Sequence, residues 1–143
     1  MQYAPTEETY SELQRAFHHF NAELFDNKLE MPLFTLQRER RTFGYSSPER
    51  FVQRHSGVLV DEIAMNPAYF PVRSIKKTLS TLVHEMVHQW QHHFGKPGRR
   101  GYHNTEWANA MERVGLMPSN TGAEGGRRVG EKMTHYIIKG GPF

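Results

Sequence analysis

One segment, residues 74–94, carries the longest helical pattern of this 143-residue chain and limits the folds open to it. Its apolar residues recur at the three- and four-residue spacing that places side chains on one face of an α-helix. They are Ile75, Leu79, Leu82, Val83, Met86, Val87, Trp90 and Phe94. Gly95, Pro97 and Gly98 then end the pattern, as helix-terminating residues do. The sequence therefore predicts a long helix that packs one face against a core.

Shorter patterns surround this helix. They predict a helix over residues 7–25, short strands over 33–38, 42–45 and 57–66, a helix that Asn104 caps and Gly115 ends, and a strand over 135–139. Pro67 stops the third strand, and we interpret that strand as an edge strand because proline cannot donate to a sheet ladder. The order predicts an α+β fold with a small three- to four-stranded sheet. We expect a core over residues 1–115 and a glycine-rich extension over 116–143, packed on or near the core.

Cysteine is absent from the chain, whereas histidine occurs nine times. The absence of cysteine excludes disulfides, thiol catalysis and every cysteine-ligated metal site. Any metal site must therefore be built from histidine and carboxylate. No stretch approaches the roughly 18 apolar residues of a membrane span, and the first residues lack the basic and apolar regions of a secretory signal. We therefore expect a cytoplasmic protein with no membrane partner.

The run His84-Glu85-Met86-Val87-His88 lies in the middle of the long helix. Histidines four residues apart lie about 40° from each other around a helix axis, so both imidazoles can reach one ion. Glu85 lies about 100° around the helix axis from His84, where it can accept a proton from a water on that ion. This is the arrangement that a zinc metallopeptidase needs.

The third zinc ligand is not fixed by this motif. Catalytic zinc takes three protein ligands and keeps one open position. A metzincin continuation is excluded because Gln91 and Phe94 stand where glycine and histidine are required. His103, Glu106 and Glu112 remain as candidates.

Residues 81–91, followed by Gly101-x-His103-x-x-Glu106-Trp107, resemble the SprT-like (Spartan-type) family of zinc metallopeptidases. Residues 20–25, Leu29 and residues 63–66 resemble the family's approach to its zinc helix, so the similarity covers residues 7–115. The resemblance implies a minimal zincin-like core that hydrolyses peptide bonds as an endopeptidase. It also implies one Zn²⁺ per chain on His84, His88 and His103, with Glu85 as general base. Many relatives carry a cysteine zinc ribbon linked to DNA, and this chain departs from them because it has no cysteine.

The mechanism expected from these residues needs a substrate site and an oxyanion donor. We expect a peptide to pair as an extra strand along the edge near Ile63–Asn66, because exposed strands bind peptides in this way. Stabilisation of the tetrahedral oxyanion needs a hydrogen-bond donor in addition to the metal. The candidates are Tyr102, Tyr136 and His135.

Basic residues add a second line of interpretation. The net charge is +3 and the isoelectric point is near 9.3, and arginines lie beside the predicted ligands. Candidate contacts to nucleic acid or to an acidic substrate are Arg40, Arg41, Arg99 and Arg100. DNA-associated proteins, including DNA–protein crosslinks, are therefore one expected substrate class. The alternatives are a non-catalytic domain stabilised by zinc and a basic nucleic-acid-binding module. The sequence predicts no oligomeric state.

Overall fold

Three helices and two small sheets make up the computed structural model, which describes residues 4–143. The helices are α1 (Pro5–Leu24), α2 (Ile75–Phe94) and α3 (Thr105–Val114). The strands are β1 (Leu33–Leu36), β2 (Gly44–Val52), β3 (Leu59–Met65), β4 (Leu116–Ser119) and β5 (Thr134–Ile137). The predicted α+β class is confirmed.

The chain divides into two compact units, one ending at Glu85 and the other running from Met86 to Phe143. The boundary falls inside α2, so this helix contributes to both units. The predicted division into a core over 1–115 and an extension over 116–143 stays a prediction. No helix among residues 4–143 combines the length and the apolar character needed to cross a bilayer.

In the first unit, α1 packs an aromatic face on the sheet. Phe17 is buried and meets the ring of Phe34 on β1 edge to face, with ring centres 6.0 Å apart. One turn further on, the Asn21 side chain donates to the Leu29 carbonyl at 2.9 Å and accepts from the Leu29 backbone N–H at 3.1 Å. These two bonds fix the connection that leads from α1 to β1.

The three-stranded sheet has the order β1-β3-β2, which makes β3 its central strand. β1 pairs with it in parallel, with Leu33–Leu36 opposite Glu62–Met65, and β2 pairs antiparallel on the other side. The predicted edge strand is therefore wrong. Pro67 lies beyond the last strand residue, in a short 3₁₀ turn, where its missing N–H costs no ladder bond.

The expected substrate edge near Ile63–Asn66 is wrong for the same reason. Ile63 lies opposite Phe34 on one side and Ser46 on the other. The Asn66 N–H donates to the Phe43 carbonyl at 2.8 Å. A peptide cannot add as a strand here, because both sides of this segment are already occupied by the protein's own chain.

In the second unit, α3 begins and ends as the sequence predicts. The Asn104 side chain accepts a bond from the Trp107 N–H at 3.0 Å, which caps the first turn. The helix ends at Gly115, whose positive φ of 100° is the left-handed conformation that glycine adopts readily. β4 follows at once and pairs antiparallel with β5, which was expected over 135–139 and lies at Thr134–Ile137.

Candidate metal centre

The middle of α2 buries polar side chains. His84 is 8% exposed and Glu85 is 6% exposed, whereas Ile75 and Phe94, at the two ends of the predicted apolar face, are 80% and 54% exposed. Only the central members of that face are fully buried, namely Leu82, Val83, Met86 and Val87. The motif is therefore not a solvated polar face, because it lies at the level where the helix is surrounded by protein.

His84, His88 and His103 form a group of side chains that could hold a metal ion. One candidate nitrogen from each residue lies within 4.8 Å of the other two. His84 and His88 are one turn apart on α2, and His103 immediately precedes the Asn104 cap of α3. Of the three candidates for a third ligand, His103 is the one that joins this group.

Trp107 fixes the rings of two members of the group. Its indole is fully buried and stacks on the His88 imidazole, with ring centres 5.5 Å apart and an angle of 22° between the planes. The His103 ring meets the same indole edge to face at 4.5 Å and the His88 ring at 4.9 Å. The tryptophan therefore positions both imidazoles, a role that the sequence did not indicate.

The backbone carbonyl of Gly130 fixes the tautomer of His103. Nδ1 of His103 lies 3.0 Å from the Gly130 oxygen. A carbonyl oxygen can only accept, so this hydrogen bond requires the proton on Nδ1 and leaves Nε2 as the unprotonated nitrogen. Most histidines that bind metal ions in proteins are oriented in this way, by a hydrogen bond from the ring nitrogen that does not bind the metal.

The electrostatics of His88 and His103 favour the neutral imidazole, which is the form that binds metal. Burial, together with the nearby His103, lowers the pKa of His88 to about 3. Burial also lowers the pKa of His103, against the opposing effect of hydrogen bonds to the backbone of Gly130 and Glu131. Three histidine side chains are a donor set that suits Zn²⁺ and leaves a fourth position open. The residues present therefore fit the metal that the motif implies.

Glu85 lies next to the first histidine and has an unusual acidity. Burial of its carboxyl group raises the pKa to about 8, because removal from water disfavours the charged form. A cation held by the neighbouring histidines would favour the ionised form. The protonation state of Glu85 therefore depends on two opposing influences, burial and a bound cation, as expected of a group that accepts and donates protons.

Glu106 and Glu112, the other candidate ligands, make different contacts. Oε1 of Glu106 accepts from the Lys96 N–H at 2.6 Å and from Gln91 Nε2 at 3.0 Å. These bonds lower the pKa of Glu106, with the backbone bond as the largest cause. A Cβ atom at Gly95 would collide with this carboxylate, so a larger residue there would displace the Glu106 side chain. Glu112 accepts from Arg128 at 2.9 Å.

The predicted oxyanion donors lie in two places. Tyr102 is half-buried, and the Arg99 guanidinium stacks over its ring at 4.6 Å. His135 and Tyr136 are half-buried on β5, opposite Pro118 and Met117 of β4. Their catalytic role stays a prediction.

All four arginines that were candidates for nucleic-acid or substrate contacts are exposed. Arg40 and Arg41 lie in the connection between β1 and β2. Arg100 lies in the turn before His103, and Arg99 pairs with Glu131 at 2.9 Å. Exposure leaves their side chains accessible to a ligand, and their binding role stays a prediction.

Comparison with known proteins finds a relative of similar sequence. An uncharacterized protein from the mucB 3′ region of Salmonella typhimurium is 63% identical over 59 residues, which are 41% of this chain and 80% of that protein. The comparison with solved structures gave no significant match. The model of the SprT-like family matches residues 13–135, which is most of the chain. The resemblance seen in the sequence is confirmed: the chain belongs to the SprT-like family.

Proposed function

We propose that this protein is a zinc-dependent endopeptidase. The observation that carries the proposal is the group formed by His84, His88 and His103 next to the buried Glu85. A purely structural zinc site has no use for a carboxyl group of altered acidity beside its ligands. Family membership supports the same reading, since the match includes both histidines of α2 and His103.

His84, His88 and His103 would hold the ion through neutral imidazole nitrogens. Zinc bound in such a site supplies a polarised water of lowered pKa and a Lewis acid for the substrate carbonyl. Trp107 keeps two of the three rings in place by direct contact. These contacts hold two of the three ligand rings before any metal binds.

Glu85 would act as the general base and then as the general acid. In its ionised form the carboxylate accepts a proton from the attacking water, and it later returns a proton to the departing amine. A pKa raised toward neutral pH suits both steps, because the ionised carboxylate is then a stronger base and part of the population stays protonated at neutral pH, ready to donate. Replacement by glutamine keeps the shape of the side chain and removes this proton transfer.

The test measures metal content and proteolysis on the same preparations. We expect one zinc in the wild type by mass spectrometry, without a histidine tag, and cleavage of a fluorescently labelled unfolded protein that a chelator abolishes. Glu85→Gln should retain zinc and lose about 10²- to 10⁴-fold in kcat/KM, the contribution of a general acid–base group. His18→Ala, at an exposed site on α1 outside the groups that could hold a metal ion, is the matched control. Full activity in zinc-loaded Glu85→Gln would contradict the mechanism.

Nucleic acid is the second partner that we propose, and the exposure of Arg40 and Arg41 supports it. Each lost phosphate contact should lower the salt dependence of duplex binding by about 0.9 in the log–log slope. Arg40→Ala/Arg41→Ala is therefore expected to reduce the slope by about 2. An unchanged slope would mean that these two arginines make no phosphate contact. Binding to DNA by a protein that takes up no zinc would instead favour the basic binding module.

A further inference from the structure

The glycine-rich segment after β4 returns to the proposed metal centre at one point. The His103 N–H donates to the Gly130 carbonyl at 2.8 Å, and the Gly130 N–H donates to the His103 carbonyl at 3.0 Å. Nδ1 of the same histidine adds a third contact, also to the Gly130 oxygen, at 3.0 Å. One carbonyl thus accepts from both the backbone and the ring of His103.

Only glycine suits this position, and the reason is backbone conformation. Gly130 has a φ of 147°, which side-chain-bearing residues rarely adopt. Space is not limiting, because a Cβ atom there would meet only Met133 Sδ, at an ordinary 3.7 Å. An alanine would therefore disturb the peptide groups around residue 130 through strain in φ, without a collision.

Two ion pairs flank this contact. Arg99 pairs with Glu131 at 2.9 Å, and Arg128 pairs with Glu112 at 2.9 Å. The first pair is largely exposed, with side-chain exposures of 67% and 70%. Exposed pairs contribute little to stability, so we assign the holding of His103 to the Gly130 bridge and not to these charges.

We infer that Gly130 is a positioning residue for the metal centre. Its carbonyl holds the His103 imidazole in the Nδ1–H tautomer and in one orientation, so that Nε2 is the nitrogen presented to the ion. The inference rests on the proposed zinc site and adds a requirement to it. A backbone group of the glycine-rich segment, 27 residues from the ligand in sequence, supports the third ligand.

The first test reads the tautomer directly in the metal-free wild type. Nitrogen-15 NMR of the histidine side chains should show His103 with a protonated Nδ1 and an unprotonated Nε2. Signals that vanish in His103→Ala assign the resonance. A His103 ring protonated at Nε2 alone would overturn the inference. This measurement needs no mutation at residue 130, so it decides the matter even if Gly130→Ala does not fold.

The second test compares zinc affinities by competition with a chromophoric chelator. Gly130→Ala should bind zinc about 10- to 100-fold more weakly, as expected when the group that orients a metal ligand is lost. Gly125→Ala is the matched control, because Gly125 also has a positive φ, of 85°, and a Cβ atom added there would meet no atom within 4 Å. Its affinity should equal that of the wild type.

The outcomes separate this inference from the proposed function. Equal zinc affinities in Gly130→Ala and the wild type would overturn the role of Gly130 and leave the peptidase proposal standing. A wild type that takes up no zinc would contradict the proposed function, and the tautomer of His103 would still decide whether Gly130 fixes the ring.

Discussion

The middle and the ends of α2 follow opposite rules. In the middle, His84 and Glu85 are buried, although histidine and glutamate usually prefer water. At the ends, Ile75 and Phe94 are exposed, although both are apolar. Position along the helix, and not hydrophobicity alone, decides which side chains of α2 are buried.

This difference concerns the free energy of folding. Burial of a polar side chain costs free energy unless a partner compensates for it. An exposed isoleucine costs little, since single apolar side chains are common on protein surfaces. Two of the buried polar residues of α2, His84 and Glu85, are the ones that the proposed chemistry uses, so the contrast can be tested by changing matched residues in the two regions.

The largest expected effect comes from the apolar core of α2. Met86→Ala removes a fully buried side chain and should lower the free energy of unfolding by about 2–5 kcal/mol. Ile75→Ala, on the same helix but exposed, should change it by no more than about 0.5 kcal/mol. Urea unfolding followed by circular dichroism measures both. Equal losses would mean that the end of the helix is covered in solution.

A somewhat smaller effect separates the central histidines from the exposed ends of the helix. Zinc at 100 times its Kd should stabilise the wild type by about 2.7 kcal/mol, because the folded state alone binds it. His88→Ala should lose this zinc-dependent gain, whereas Ile75→Ala, which alters an exposed residue of the same helix outside the groups that could hold a metal ion, should keep it. Thermal unfolding with and without zinc makes the comparison. A full zinc response in His88→Ala would exclude this histidine as a ligand.

The smallest effect concerns the end of α2, where Glu106 binds the Lys96 N–H. Its pKa is lowered in the folded protein, so its contribution to stability is present above its ordinary value and is lost as the pH falls through the lower, folded value. Glu106→Gln should therefore cost less than about 1 kcal/mol at pH 7, and the difference from the wild type should disappear in acid. Unfolding curves at pH 7 and at pH 3 measure it. A loss of stability in Glu106→Gln that grows as the pH falls would contradict a stabilising role for the ionised carboxylate.

Local signals predicted much of the fold and part of the candidate site. The helical spacing in α2, the Asn104 cap and the Gly115 terminus are properties of neighbouring residues, and the structure has all three. The His84–His88 pair is also local, because one helical turn brings the two residues together. The family resemblance pointed to His103, which the structure places with them.

Contacts between distant segments were not predicted. Pro67 was interpreted as the mark of an edge strand, but strand order depends on partners elsewhere in the chain, and β3 lies between β1 and β2. β2 extends through Ser47 and Pro48, which resemble a loop in sequence. The bond from His103 to Gly130 has no local signal apart from the glycine itself.

The central place of β3 also sets the order in which the sheet can form during synthesis. β3 is the last of the three strands in the chain, and both of the others pair with it. At about 5–20 residues per second, a ribosome needs roughly 1.5–6 s to pass from the end of β1 to the end of β3. During that interval β3, the strand that pairs with β1, is incomplete. The backbone N–H and C=O groups of β1 therefore stay unpaired in the sheet until Met65 has been made.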